Sequence, residues 1–593
     1  MTKRIVLILL FCLTTHVHAS TAQAYLDRFL AYLQWSQNLP AQPTPDFLAF
    51  IDNDTPLAQK LRDKWLYQLV RQKDWGTLTR HYKPSADTNL QCFAAIAHLN
   101  TGNFEKALTE SKRLWLTGNS LPKTCDTLFD WMINTPGFDE KLLDQRLILA
   151  LDNRNIALAR YLLKQYKPQR TQDEQLLLAI YQNPQRINTL SPGKMHDSLY
   201  LFGLKQMINR NMDNAIIQWQ NPLTKRFLNE AQQQAFLSQL TLFKAMRNHE
   251  DEPLWFAQIK PAFYTEALLD WQIRFALKGE QWDEVLRLIN QFQDKDNPCW
   301  QYWLARALEA KGEKAKAHEI YQTLANTRNY YGFLASMRLN KKPNFENEAP
   351  VTQMALLAPY KPLIENIRLL YSSKQTLQAS RLLNDFFSEL PKDDQSALAY
   401  WLANTLQWHD KSVYLSNTKA LTNQLSLRFP VIYQKSITHY AKNYHIPQEL
   451  IYAIMRQESG FQENVVSPAG ARGLMQIMPY TAGVVAKQEK ITYQDKNQLF
   501  SSEKNINLGV AYLQQLAKRY HYHPVLVAAA YNGGPSQVNY WLKTHPPHEM
   551  DIWIDTLPWH ETRNYLKNII AFYAVYQYRL HQKWDLDSFM QPL

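Results

Sequence analysis

Glycine is scarce in this chain, at 16 of 593 residues. A sheet-rich protein of that length needs more tight turns, so the scarcity favours an all-helical fold. Cysteine is rarer still, with four in all. None of the cysteine spacings resembles a zinc site, and no metal or organic cofactor is expected. After the first 20 or so residues no stretch is apolar enough to cross a bilayer, which needs about 20 apolar residues, so no integral membrane segment is expected in the mature chain. The chain also lacks a basic cluster, an RNA-binding sheet motif and a recognition-helix signature, which argues against nucleic acid as a partner.

What is present is a hydrophobic fraction of 46% and enough length for two to four domains. The start reads as a leader for export. Lys3 and Arg4 are basic, Ile5 to Leu13 are apolar, and Val17-His18-Ala19 resembles a small-residue cleavage site, so the mature chain begins at Ser20. Phe11 before Cys12 argues against a lipidated cysteine. Of the formal charge of +12, removing Lys3 and Arg4 leaves +10, an excess suited to anionic polymers. Export implies an oxidising compartment, where a Cys92–Cys125 bridge is expected, with Cys299 left as a buried thiol beside Trp300.

From about Thr21 to Asn340 helix follows helix with short breaks. Trp271-Gln-Ile-Arg274 recurs 32 positions later as Trp303-Leu-Ala-Arg306, and glycine turns follow at Gly279-Glu280 and Gly312-Glu313. Asn100-Thr101-Gly102-Asn103 has the same turn-then-helix form. Such a period belongs to helical hairpins that stack into a superhelix. Pro343 to Pro350 read as a linker, Lys361 to Arg428 as a second helical stretch with a helix starting near Pro391, and Arg428-Phe429-Pro430 as the entry to a last domain. Seven of the glycines lie in the last 165 residues, so shaped loops are expected there.

The chemistry-bearing stretch runs from Ile446 to Pro479. Pro447 suits the first turn of a helix, and Leu450, Ile451, Ile454 and Met455 form an apolar stripe. Glu458 lies on the same face, at the mouth of a helix that ends at Ser459-Gly460. A carboxyl held there is desolvated and stays protonated towards neutral pH, as a general acid requires. An isolated Glu would more often turn to water or pair with Arg456, so the residues around it decide. Ser467 to Pro479 form a glycine-rich loop in which Gln476 offers a donor and an acceptor, and Met478 offers a soft apolar surface. Val525 to Ala530 form a helix stopped by Tyr531-Asn532-Gly533-Gly534-Pro535. Pro558 to Leu566 open a final helix in which Glu561 and Arg563 look like ion-pair residues, and Tyr565 reads equally well as a core residue.

Taken together, Glu458-Ser459-Gly460-Phe461, Gly473-Leu474-Met475-Gln476 with Ile477-Met478-Pro479, Ala530-Tyr531-Asn532-Gly533-Gly534-Pro535, and Glu561-Thr562-Arg563 ahead of Tyr565 resemble the soluble lytic murein transglycosylases. Tyr302-Trp303-Leu304-Ala305-Arg306-Ala307 and Tyr330-Tyr331-Gly332-Phe333-Leu334-Ala335 resemble that family's superhelical segments. Gly460-Phe461 and Gly533-Gly534 depart slightly from the family pattern. The resemblance implies an all-α fold: a leader over 1–19, a ring or U-shaped helical superhelix over 20–345, a linker helical domain over 346–428, and a lysozyme-like catalytic domain over 429–593.

The resemblance further implies that Glu458 is the single acid and base, that Ser467, Gln476, Met478, Tyr531 and Asn532 line the cleft, and that Tyr565 neighbours the acid. The implied reaction cuts the bond between N-acetylmuramic acid and N-acetylglucosamine in periplasmic peptidoglycan, closing a 1,6-anhydro ring without water. Glycan strands and muropeptides would be the ligands. The superhelix would favour exolytic cleavage, or serve as a docking surface for cell-wall synthases. Two other readings remain at this level. One is a lysozyme-type hydrolase with Asp495, Glu503 or Glu561 as a second acid. The other is a sugar-binding module without activity.

Overall fold

The computed structural model describes residues 24–592 apart from 248, 293, 545, 547 and 548, with the side chain of 385 left out. The leader expected over 1–19 lies outside the described residues. The described chain is helical, with isolated bridges only around Arg472 in place of any strand. None of its helices is long and apolar enough to cross a membrane.

The chain forms two compact units. One comprises Ser20–Phe243 and Pro253–Tyr264, and the other Lys244–Glu252 and Thr265–Leu593. The first is a run of helical hairpins whose apolar faces close on one another, as around Phe47, Leu61, Trp65, Leu69 and Leu90. Cys92 and Cys125 are disulfide-bonded, as expected, across 33 residues. Cys299 in the second unit is a free thiol but only half-buried, because it sits in the first turn of its helix beside a surface cavity.

One turn recurs between hairpin helices. A single left-handed residue donates its N–H to the carbonyl three residues back, and the next residue donates to the carbonyl five back. Gly102 and Gly312 hold the left-handed position in two such turns, but Lys73, Arg154, Glu280, Asn340 and Lys374 hold it in others. Asp74, Asn103 and Asn155 then cap the following helix through their side chains. Glycine scarcity therefore does not mean few turns. Most of these turns place an L-residue where glycine would be easiest, a cost of about 1 kcal/mol each that the paired hydrogen bonds and the cap offset. The register of the repeat follows from the same geometry: Glu280, not Gly279, is the counterpart of Gly312.

In the second unit, α1 (Glu266–Lys278), α2 (Trp282–Ile289), α3 (Pro298–Ala310), α4 (Lys314–Leu324) and α5 (Tyr330–Arg338) continue the hairpins. Residues 341–353 carry no helix, as the linker reading required, and a helix starts at Lys392 after Pro391. The helices that frame the site are α6 (Gln448–Glu458), α7 (Ser502–Arg519), α8 (Pro524–Gly533), α9 (Met550–Thr556) and α10 (His560–Arg579).

Candidate active site

Helix α6 starts just after Pro447 and runs to Glu458. Leu450 to Met455 are all buried, so its middle is enclosed on every side rather than along one stripe. The helix stops because Gly460 and Phe461 both turn left-handed. Ser459 makes that stop specific. Its hydroxyl donates to the Leu474 carbonyl (2.7 Å) and accepts from the Phe461 N–H (3.0 Å). Glu458 is left half-buried at the end of the helix.

The loop from Val465 to Ile477 is folded by short local bonds. Ser467 Oγ accepts from the Ala471 N–H (3.0 Å), which closes its own turn. Gln476 adopts a left-handed backbone and gives its side-chain amide to the carbonyls of Gly473 (2.8 Å) and Val465 (3.3 Å). Gly473 is obligatory, since a Cβ there would lie 2.2 Å from the Leu499 carbonyl oxygen. The loop rests on Asn505 of α7, whose side chain is fully buried. Its Oδ1 accepts from the Met475 N–H (2.8 Å), and its amide donates to the carbonyls of Arg472 (2.9 Å) and Leu499 (2.8 Å). Met478 stands exposed at the entry to the next helix.

Helix α8 does not stop before Tyr531. It continues to Gly533 and is ended by left-handed Gly534, so Tyr531 and Asn532 sit in its last turn. Tyr531 donates to the Met475 carbonyl (2.7 Å). Asn532 Oδ1 accepts from the Thr562 hydroxyl (2.9 Å). Tyr565, buried on α10, donates its phenol to Glu458 Oε1 (2.8 Å). The four motifs thus form a closed circuit: Ser459 to Leu474, Met475 to Tyr531, Asn532 to Thr562, and Tyr565 back to Glu458.

Burial pushes the Glu458 carboxyl up to about 7; the Tyr565 hydrogen bond lowers it and the charge of Glu561 raises it. Both Tyr531 and Tyr565 are pushed well above the ordinary phenol value, by burial first and then by the Glu458 charge. The structure therefore gathers Glu458, Tyr531 and Tyr565, and ties Gln476 and Asn532 into the frame around them. Ser467 and Met478 share no bond with these groups.

The ion-pair reading of Glu561 and Arg563 is corrected. Arg563 is buried, donates to the Leu557 carbonyl (2.7 Å) and lies over the Trp271 ring (5.2 Å). Glu561 is exposed two residues earlier, on another face of α10. Of the candidate second acids, Glu503 is held by the hydroxyls of Ser436 and Tyr440, and Asp495 accepts from Asn497 (3.0 Å). Only Glu561 acts on Glu458, and it does so as a like charge. Sequence reasoning missed Asn505. The signal was there, a polar residue on the apolar face of a helix beside Ile506, Leu508 and Gly509.

Comparison with known proteins fits this geometry. The transglycosylase SLT domain model matches residues 435–554, a span that holds Glu458, the loop, Tyr531 and Asn532. The soluble lytic murein transglycosylase of Escherichia coli K12 is 29% identical over 578 residues, covering 94% of this chain and 88% of that protein. Over nearly its whole length the chain is similar to the soluble lytic murein transglycosylases. Its fold is that of the 70 kDa soluble lytic transglycosylase of E. coli, with a TM-score of 0.78, 27% identity, and coverage of 96% of this chain and 93% of that one. An inactive glutamate-to-glutamine variant of the Pseudomonas aeruginosa lytic transglycosylase matches with a TM-score of 0.83, 27% identity, and coverage of 96% and 95%. The likeness to these structures makes the fold an all-α one with a superhelix and a lysozyme-like domain. A Cucumovirus coat protein model also matches residues 103–173, a span that contains none of the site residues.

Proposed function

We propose that this peptidoglycan lytic transglycosylase cuts the β-1,4 bond between N-acetylmuramic acid and N-acetylglucosamine, with Glu458 acting first as acid and then as base. The observation that carries the proposal is a carboxyl pushed to about 7, with one phenol donor and no carboxylate partner bonded to it. Near neutral pH such a group is populated in both protonation states, which a residue that gives and then takes a proton needs. Glu458 donates its proton to the bridging oxygen, and the C1–O bond breaks towards an oxocarbenium-like centre. The acetamido oxygen of the substrate stabilises that centre. The Glu458 carboxylate then removes the proton from the C6 hydroxyl, and O6 bonds to C1. The ring closes as a 1,6-anhydro product, and no water is consumed.

Gln476, Tyr531 and Asn532 would hold the glycan in the frame described above, with Ser467 and Met478 along the same cleft and Tyr565 beside the acid. The neighbouring E. coli enzyme has been solved in complex with bulgecin A, which is in keeping with a ligand cleft on this fold. The inactivity of the glutamine variant of the P. aeruginosa relative supports a reaction that depends on one carboxyl. The same proposal takes residues 20–345 as the superhelical domain, 346–428 as the linker domain and 429–593 as the catalytic domain. It also includes export to the periplasm and exolytic action on strand ends, with cell-wall synthases as partners of the superhelix.

Mass spectrometry of digested peptidoglycan tests the chemistry. The expected reducing ends are lighter than hydrolysis products by one water. Ends that carry the added water would replace this reading with the hydrolase, for which Glu561 is the nearest second acid. Undiminished cleavage by Glu458→Gln would remove Glu458 from the reaction.

A further inference from the structure

The repeated tryptophan and arginine positions of the hairpins have a use beyond packing. Helix α9 is buried along its whole length, and it carries two acids four residues apart, Asp551 and Asp555. Each meets one repeat arginine. Arg306 pairs with Asp551 and Arg274 with Asp555, so a 32-residue step in the repeat matches one turn of α9. Asp555 is fully buried and accepts from four elements: Arg274 of α1, Trp303 of α3 (2.9 Å), Tyr331 of α5 (3.0 Å) and Lys567 of α10. Burial alone would raise this carboxyl, but Lys567 and Arg274 hold it below the ordinary value. Lys567 also donates to the Tyr331 hydroxyl (2.6 Å). Four residues earlier on α10, Arg563 packs over Trp271. Helix α10 is therefore gripped on one face by the hairpins through Arg563 and Lys567. From another face it presents Thr562 to Asn532 and Tyr565 to Glu458.

We propose that Lys567, locked by Asp555 and Tyr331, is a positioning residue for the glycan-cleaving reaction: it fixes the rotation and height of α10 and so the placement of Tyr565 against Glu458. This rests on the function proposed above. A buried ionic cluster contributes less to stability than apolar packing of the same volume would, but it admits one arrangement only. A tyrosine that must meet a carboxyl at hydrogen-bond distance needs that uniqueness.

The test uses the full chain with Lys567→Met, Lys567→Arg and Tyr331→Phe. For each variant, kcat, KM and the pH profile of kcat/KM are measured per folded molecule. Cleavage by the unaltered chain tests the proposed function; the ratios of variant to unaltered chain test this inference. Lys567→Met should lower kcat about fivefold at unchanged KM, the loss of roughly one aligned hydrogen bond. The groups that act on Glu458 are Tyr565 and Glu561. Slackening Tyr565 removes the donor that lowers the carboxyl, so the alkaline limb should move up. Lys567→Arg should restore most of the rate. A kcat per folded molecule and a limb equal to those of the unaltered chain would overturn the inference and leave the cluster a stability element only. Should Lys567→Met fail to fold, Tyr331→Phe decides, since it removes one hydroxyl and no charge. A lowered kcat then supports the inference, and an unchanged one overturns it.

Discussion

Replacing Glu458 by Gln should make the protein more stable, by an amount that depends on pH. The folded chain holds this carboxyl at about 7 against an ordinary value of 4.5, because burial outweighs the Tyr565 hydrogen bond. The folded state thus binds the proton more tightly than the unfolded chain. Below the ordinary value both states are protonated and Glu458 imposes no penalty. Between the two values the unfolded chain releases its proton and the folded chain keeps it, so each pH unit removes about 1.4 kcal/mol of stability. Above about 7 the penalty levels off. It reaches about 3 kcal/mol, an upper figure because the half-buried side chain keeps some contact with water. Glutamine has the same shape, accepts the Tyr565 hydrogen bond and never ionises. Urea unfolding of both proteins at about pH 4, 6 and 8 reads the difference directly. It should be near zero in acid and grow towards alkaline pH in favour of the variant. A difference that stays constant, or one that grows as pH falls, would refute the placement of a desolvated, proton-holding carboxyl at this helix end.

Tyr565→Phe removes the one donor that lowers Glu458. A hydrogen bond to a charged group contributes about 1.5 kcal/mol, so the alkaline limb of kcat/KM should rise by about one pH unit; a limb that falls or stays would count against the 2.8 Å contact. Asn505→Ala cuts three backbone contacts in the core and should cost about 3 kcal/mol of stability, read by thermal unfolding, together with most of the activity. Reducing the Cys92–Cys125 bridge, which closes a 33-residue separation, should destabilise the first unit by about 3–4 kcal/mol, visible as a lower unfolding midpoint. Glycan cleavage at room temperature should persist, since the site residues all belong to the second unit.

The helical class, the hairpin repeat and the position of Glu458 at a helix mouth were all legible in the chain. They depend on local signals: apolar spacing, proline and glycine at breaks, and a carboxyl in register with buried residues. What escaped depends on partners distant in sequence. Arg563 looked like half of an ion pair because Glu561 is two residues away, yet helical geometry turns the two apart and hands Arg563 to Trp271, nearly 300 positions earlier. Asn505 carried no motif and was passed over, although two backbone groups of the loop and the Leu499 carbonyl depend on it. Tyr531 and Asn532 looked like a helix stop, and only the left-handed Gly534 shows that they are its last turn. Glycine scarcity pointed to the helical class, which the structure bears out, but it does not count the turns. The turn conformation is imposed by two backbone hydrogen bonds and a following cap, so Lys73, Arg154 or Glu280 can occupy a position that composition alone would reserve for glycine.

The closed circuit explains why four short motifs spread over about a hundred residues occur together. Each motif supplies one bond to the next, at 2.7, 2.7, 2.9 and 2.8 Å, and the last bond ends on Glu458 itself. In the proposed mechanism a lone carboxyl shares its work with no second acid, so the cleft must hold both the carboxyl and the sugar with little freedom. An open chain of hydrogen bonds would let its free end drift. A closed one moves only if a bond breaks, and each joint has a backbone carbonyl or a buried side chain on at least one side. Much of what reads in the sequence as a catalytic signature is therefore scaffolding. Ser459, Met475, Tyr531, Asn532 and Thr562 hold the geometry, and in the proposed mechanism one titrating group does the chemistry within it.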